Sequence, residues 1–296
     1  MQKLLAIAGP TASGKSSVAV KLAKKLNGEI ISMDSMQVYK GMDIGTAKVS
    51  QEEMENIPHH LIDIVEPNVP FSVSDFVLLA KNAIDDISNR GKLPILVGGT
   101  GLYYECLIYP FTFGSAKSDD TIKQKLYEEL EKYGPNYLHD KLKQIDPVDA
   151  QKIHPNNTKR LIRALEIYKI TGNSKTESAK SDKILQYDID FYVLDNDRQV
   201  LYENIAKRVN IMMDFGLEKE VKFLLDSGCD FNMQSMQGIG YKEFKGYFDG
   251  KITLEQVKNE IILNSRHYAK RQITWFKRYE FAKNLTKDQL IEKFNL

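Results

Sequence analysis

The hydrophobic positions fall into short unbroken runs separated by stretches of helical period. Leu4-Leu5-Ala6-Ile7-Ala8 is a continuous apolar run, followed by a helical pattern from Val18 to Leu26. Glu29-Ile30-Ile31-Ser32-Met33 reads as a second short strand ending at Asp34-Ser35. Leu61-Ile62-Asp63-Ile64-Val65 predicts a third strand. A helix is expected from about Asp75 to Asn89, capped by Ser72 or Ser74 and closed by Gly91. Leu93-Pro94-Ile95-Leu96-Val97 reads as a buried strand ending in Gly98-Gly99-Thr100-Gly101. Continuous apolar runs, rather than alternating ones, belong to strands covered on both faces, as in parallel sheets.

From about Ser115 the chain turns polar and charged. Helices are expected over Asp119–Tyr133 and Asn136–Gln144, broken by Gly134-Pro135 and Pro147. Another is expected over Asn157–Thr171 with Gly172 as its stop. Ile189 to Leu194 then resembles a fifth strand returning to the sheet, and Gln199 to Leu296 is helical in pattern. The predicted fold class is α/β: a P-loop-type parallel sheet flanked by helices, with an all-helical insertion domain. The core domain is expected over residues 1–116 and 184–296, and the insertion over 117–183.

Composition narrows the class without naming it. The chain has 296 residues, 42% hydrophobic and 27% charged, which suits a globular protein with an ample core. Its formal net charge is +1, so any nucleic-acid surface must come from local clustering. Cys106 and Cys229 are the only cysteines and have no C-x-x-C spacing, which argues against a disulfide framework or zinc site. The first apolar run feeds a glycine loop instead of forming a secretory leader, and no stretch has membrane-spanning length. A soluble, cytoplasmic protein that does not contact membranes is expected.

The glycine loop is Gly9-Pro10-Thr11-Ala12-Ser13-Gly14-Lys15-Ser16. Strand, loop and helix give G-x-x-x-x-G-K-[ST] the context of a phosphate site instead of an ordinary turn. Gly9 and Gly14 let backbone N–H groups converge on an anion, and the following helix N-terminus adds positive potential. Lys15 supplies a full charge, and the Ser16 hydroxyl suits a magnesium ion. The strand before Gly98 does not end in an acid, the usual second magnesium handle of an NTPase. This favours a transferase whose leaving group is a diphosphate.

Asp34-Ser35-Met36-Gln37 brings an acid, an alcohol and an amide to a strand end beside that loop. Such a set can bind a base edge and take a proton from its amine, or can simply cap a turn. His59 and His60 point to opposite sides of an extended chain and read as structural. Lys159, Arg160 and Arg163 cluster on one helix, suited either to phosphate or to solvent and acids such as Glu166. Arg266 to Tyr279 interleaves bases with aromatics, as nucleic-acid grips do, while Ala269, Ile273 and Phe276 keep core spacing. Gly238-Ile239-Gly240-Tyr241-Lys242 is either a ligand-approaching loop or a tight helix–helix turn.

In combination these stretches resemble one family, the tRNA dimethylallyltransferases, also called tRNA isopentenyltransferases. The resemblance runs over nearly the whole chain. It rests on the glycine loop, Asp34 to Tyr39, Pro58 to Asp63, Gly98 to Tyr103, Ile153 to Asn157, Arg163 to Glu166, Gln237 to Lys242 and Tyr268 to Gln272. It implies transfer of a dimethylallyl group from its diphosphate to N6 of the adenosine 3′-adjacent to the anticodon in tRNA. By that resemblance Gly9, Pro10, Thr11, Ala12, Ser13, Gly14, Lys15 and Ser16 hold the diphosphate with Mg2+, which Ser16 ligates, and Arg163 reaches the same group. Asp34 matches the family's general base, and Thr100 and Lys15 assist the chemistry. tRNA contacts are implied for Asp34, Ser35, Met36, Gln37 and Thr100. They are implied also for Lys159, Arg160, Leu161, Ile162 and Arg163, and for Gly238, Ile239, Gly240, Tyr241 and Lys242. The partners expected are tRNA and dimethylallyl diphosphate, and the protein is expected to be a monomer. Ser16 and Gly238 stand where relatives often carry threonine and alanine. No zinc finger of the eukaryotic sort is present, which points to the bacterial type. The rival readings are an adenylate isopentenyltransferase acting on free AMP or ATP, a P-loop small-molecule kinase, and a noncatalytic RNA-binding protein.

Overall fold

The computed structural model describes residues 1–110, 119–174 and 184–296. Its strands are β1 (Lys3–Ala8), β2 (Gly28–Ser32), β3 (His59–His60), β4 (Leu93–Gly98), β5 (Asp188–Leu194) and β6 (Lys283–Leu285). They form one six-stranded sheet in the order β3-β2-β4-β1-β5-β6, with every pairing parallel. The helices are α1 (Lys15–Leu26), α2 (Gln51–Met54), α3 (Val73–Asn89), α4 (Gly101–Ile108), α5 (Asp120–Ile145), α6 (Pro147–Lys152) and α7 (Thr158–Thr171). After β5 come α8 (Arg198–Asp214), α9 (Leu217–Asp226), α10 (Lys245–Phe248), α11 (Leu254–Phe276) and α12 (Lys287–Lys293).

The chain divides into two compact units, Met1–Ile108 with Gln186–Leu296, and Tyr109–Leu185. The domain junctions expected at 116/117 and 183/184 involve residues outside the described ones. In the first unit β1 lies between β4 and β5, with Ile7 opposite Val97 on one side and Tyr192 on the other. Leu4 to Ala8 are all buried, which is why that run is apolar throughout. Val18, Ala19, Leu22 and Ala23 of α1 pack against this layer. The second unit's described elements are the helices α5, α6 and α7, and Leu126, Leu138, Leu142, Leu161 and Leu165 form its core. Gly134, at φ 81°, breaks α5 where Gly134-Pro135 predicts an interruption.

Several expectations need correction. The third strand lies at His59–His60, just before Leu61–Val65. Leu61 and Asp63 have φ of 63° and 55°, which breaks an extended run, and Val65 keeps only a bridge to Tyr39. The segment after Gln199 is not wholly helical, because Lys283–Leu285 adds β6 beside β5. Pro147 starts α6, its missing N–H costing nothing at a first helical position. His60 is structural: its Nε2 lies 2.8 Å from Glu29.

Glu29 is 2% exposed and also accepts from Arg90 (2.7 Å) and Lys92 (2.7 Å). Hydrogen bonds from Arg90 hold its carboxyl well below the usual carboxylate range, against the opposing effect of burial. A depressed carboxyl pKa stabilises the fold at neutral pH, and that stability disappears as pH falls below the ordinary glutamate range. Glu29→Ala is expected to cost about 1–3 kcal/mol, less than the loss of one member of a fully buried pair because its cations are partly solvated. Chemical denaturation at pH 7 and pH 4 checks both points: the difference between wild type and variant narrows at the lower pH.

Candidate active site

The glycine loop joins β1 to α1 at the carboxyl end of the sheet. Gly9 (φ 142°), Ala12 (φ 60°) and Gly14 (φ 85°) supply the left-handed turns that curl it. A Cβ on Gly9 would also come within 3.1 Å of the Leu194 carbonyl, so the loop rests directly on the end of β5. Lys15 folds back and donates to the Pro10 carbonyl at 2.5 Å. Its pKa is pushed down to about 7, first by burial and then by the charge of Arg208, with Asp34 acting the other way. Ser16 stands exposed on the first turn of α1.

Asp34 follows β2. Its Oδ1 accepts from the backbone N–H groups of Met36 (2.8 Å) and Gln37 (3.3 Å). Its Oδ2 has no hydrogen-bond partner among the described residues. The carboxylate therefore caps a turn with one oxygen and keeps the other available. Thr100 sits one strand away. Its N–H donates to the Met33 carbonyl (3.1 Å) and its Oγ1 accepts from the Ser35 N–H (3.1 Å). The adjacent ends of β2 and β4 thus bring Asp34 and Thr100 together, although 65 residues separate them in sequence. The Tyr268 hydroxyl lies beside Thr100 and Gln272, its pKa pushed up to about 12 by burial and then by the Asp34 charge.

Asp34 and Tyr268 border a cavity of about 280 Å³. Thr11, Asp34, Met36, Arg208, Ile239 and Tyr268 are among its walls, and Ile205, Val209 and Ile261 give it an apolar side. A second recess, bounded by the glycine loop, Asn204 and Lys207, shares Arg208 with the first.

Arg208 joins the site from the helical region after Gln199. Its Nη1 donates to Thr11 Oγ1 (3.2 Å) and its Nη2 to the Thr46 carbonyl (3.2 Å). Burial lowers its pKa and the charge of Asp34 opposes that shift. In sequence it is one basic position on the helical pattern after Gln199, and nothing marks it. Gln272 ends the Tyr268–Gln272 stretch and carries no mark of its own in the sequence. It is 5% exposed, accepts from the Thr11 N–H (2.8 Å) and donates to the Gly99 carbonyl (3.0 Å). A Cβ on Gly99 would lie 2.0 Å from the Gln272 amide nitrogen, so glycine is what lets this strut close.

Other expected contacts land differently. Met36, Gly238, Ile239 and Lys242 line the cavity. Gln37 turns inward, its Oε1 accepting from Ser32 and its Nε2 donating to the carbonyls of Thr46 and Ala47. Tyr241 is fully buried and donates to Glu220, so its side chain is not a surface contact. Gly240, at φ 97°, packs on Gly45 and is buried as well. Leu161 and Ile162 fill the core of the second unit because they lie on the inward stripe of α7; side-chain contact with RNA is corrected at both. On the same helix Lys159 and Arg160 are exposed. Arg163 bonds Glu166 at 2.8 Å, and Glu166, 0% exposed, also accepts the Asp119 N–H (3.0 Å). The acid-pairing reading therefore holds for Arg163. Among the described residues no helix is long and apolar enough to cross a membrane. No group of three or more His, Cys, Asp or Glu side chains among them is placed to hold a metal.

The family model described as IPP transferase matches residues 37–279, and one described as isopentenyl transferase matches residues 2–69. A tRNA dimethylallyltransferase from Anoxybacillus flavithermus is 52% identical over 277 residues, 93% of this chain and 88% of that protein. The crystal structure of a tRNA isopentenylpyrophosphate transferase from Bacillus halodurans is similar with a TM-score of 0.75 and 47% identity, covering 100% of this chain and 95% of that one. A eukaryotic dimethylallyltransferase, caught crystallographically acting on tRNA, gives a TM-score of 0.83 at 32% identity over 99% of this chain and 76% of its own. With the first family model spanning residues 37–279 and a relative 52% identical over 93% of the sequence, the chain belongs to the IPP transferase family.

Proposed function

We propose that this protein transfers a dimethylallyl group from dimethylallyl diphosphate to N6 of the adenosine 3′-adjacent to the anticodon in tRNA. The observation that carries the reading is the single cavity on which Asp34, Arg208 and the Thr11 end of the glycine loop converge. The bond broken is the allylic C–O bond, and the bond formed joins that carbon to the adenine nitrogen. Diphosphate departs, and the amine proton passes to Asp34.

Each residue has a task in that scheme. The loop N–H groups, Lys15 and Arg208 face the charge that grows on the leaving oxygens, where fixed donors act most strongly. The free oxygen of Asp34 takes the proton while its other oxygen stays anchored to the turn. Thr100 holds Ser35 beside Asp34 and supports the departing group. Ile205, Val209 and Ile261 receive the apolar prenyl chain. The target base must leave its stack to enter the cavity, at a cost of about a few kcal/mol that binding along the anticodon stem offsets. Lys159, Arg160 and Lys242 are suited to that backbone.

Mg2+ belongs to this proposal. The donors fit a hard cation: a serine hydroxyl stands exposed on the first helical turn, and among the described residues no cluster of three or more His, Cys, Asp or Glu competes for the ion. When bound, the ion neutralises charge on the leaving group. Ser16 is the residue that would hold it.

Lys15 gives the reading a proton signature. In the free protein its ammonium deprotonates near pH 7. A bound diphosphate stabilises the charged form, so its pKa rises on binding. At about pH 8.5 binding therefore takes up close to one proton at Lys15. Calorimetry in two buffers of different ionisation enthalpy measures this, and Lys15→Met is expected to remove it. Equal uptake in wild type and variant would assign the proton elsewhere.

The direct test offers labelled dimethylallyl diphosphate and Mg2+ to unmodified tRNA, AMP and ATP in parallel. Label in tRNA supports the proposal. Label only in AMP or ATP transfers the protein to the adenylate-prenylating branch, and ATP hydrolysis without prenyl transfer would replace the reading with a kinase.

A further inference from the structure

Glu220 lies in the first turn of α9, and its carboxylate reaches into the loop at residues 43–46. Oε2 accepts from the backbone N–H groups of Asp43 (3.0 Å) and Ile44 (2.7 Å). Oε1 accepts from the N–H of Gly45 (3.0 Å) and from the Tyr241 hydroxyl (2.7 Å). Three successive backbone donors converging on one carboxylate form an anion-binding nest. Here the anion is a side chain delivered from about 175 residues downstream. Tyr241 closes the arrangement from the other side. A Cβ on Gly45 would lie 2.4 Å from its ring, so the loop is pressed between the ring and the carboxylate.

What this loop presents is functional. Its Thr46 carbonyl accepts from Arg208 Nη2, and the same guanidinium meets Thr11 of the glycine loop through Nη1. Gly45 and Thr46 themselves wall the cavity that holds Asp34. The loop has no regular secondary structure of its own apart from turns, so its carbonyl directions depend on what grips its N–H groups. The carboxylate of Glu220 is that grip.

We infer that Glu220 is a positioning residue: by holding the 43–46 loop it fixes the Thr46 carbonyl that aims Arg208 at the phosphate loop. The inference rests on the function proposed above for Arg208. It predicts an effect that passes through Arg208 and disappears when that side chain is gone. Glu220→Gln keeps the size of the side chain but replaces one acceptor by a donor, which must face N–H or O–H groups that also donate.

The test is a double-mutant cycle of Glu220→Gln with Arg208→Met, read as the single-turnover transfer rate and as affinity for inorganic diphosphate. Glu220→Gln is expected to lower both by about tenfold in the wild-type background and by less than about threefold when Arg208 is already Met. Equal losses in the two backgrounds would mean that Glu220 only supports the fold, and would overturn the inference. Tyr241→Phe removes one of the four bonds and is the second variant. It is expected to lower both readouts by about two- to fivefold, again only when Arg208 is present. If Glu220→Gln does not fold, an unchanged Tyr241→Phe overturns the inference. If the wild-type protein fails to prenylate tRNA, the function proposed above fails, whereas the diphosphate-affinity cycle still decides the role of Glu220.

Discussion

Asp34→Asn lowers the rate of prenyl transfer to tRNA by about 10²–10⁴-fold, the range expected for loss of a positioned general base. The substitution isolates the chemistry. Asparagine keeps an oxygen where Oδ1 accepts the Met36 and Gln37 N–H groups, so the turn after β2 survives. What it loses is the oxygen that has no hydrogen-bond partner among the described residues and that a proton can occupy. Single-turnover transfer should fall while tRNA affinity changes little. A loss of less than about tenfold would remove Asp34 from the role of base. A second consequence follows from charge. Asp34 supports the ammonium form of Lys15, so neutralising it lowers the Lys15 pKa below about 7. The pH at which diphosphate binding begins to take up a proton should move down in the variant.

Arg208→Met lowers transfer by about 10²–10³-fold, as removal of one preorganised donor to a developing oxyanion does elsewhere. Arg208 is the group that joins the phosphate loop, through Thr11, to the cavity wall, through Thr46. Its planar fork makes both bonds at once. Arg208→Lys offers a point charge with neither reach nor fork, and is expected to recover little. The loss should appear chiefly in the chemical step, with weaker diphosphate binding and unchanged tRNA binding. Loss of tRNA affinity with an unchanged chemical step would instead make Arg208 an RNA contact. The electrostatic corollary has the opposite sign to that of Asp34. Arg208 depresses Lys15, so its removal raises the Lys15 pKa and shifts the onset of proton uptake to higher pH.

The parts of this protein that the sequence determined by itself are those governed by neighbours in the chain. The buried run Leu4–Ala8, the glycine loop with Lys15 and Ser16, the Ser72 cap of α3 and the Gly172 stop of α7 each depend on a few adjacent residues. Local conformational preference and continuous hydrophobicity are enough to specify them. Asp34 and Thr100 were legible because strand ends that face one crevice can be inferred from an α/β order. Tertiary structure decided the rest. β6 is only three residues, two of them polar, and exists because β5 offers an unpaired edge. Leu161 and Ile162 stand next to cations in the chain, yet the helix turns them into a core that the sequence alone does not locate. Arg208, Glu220 and Gln272 look like ordinary polar positions on helices. Each takes its role from a backbone group 162 to 261 residues away, at Thr46, Gly99, Gly45 or Thr11. A local pattern carries no record of such pairings, because the energy that selects them comes from burying a polar group against a partner that only the folded chain supplies.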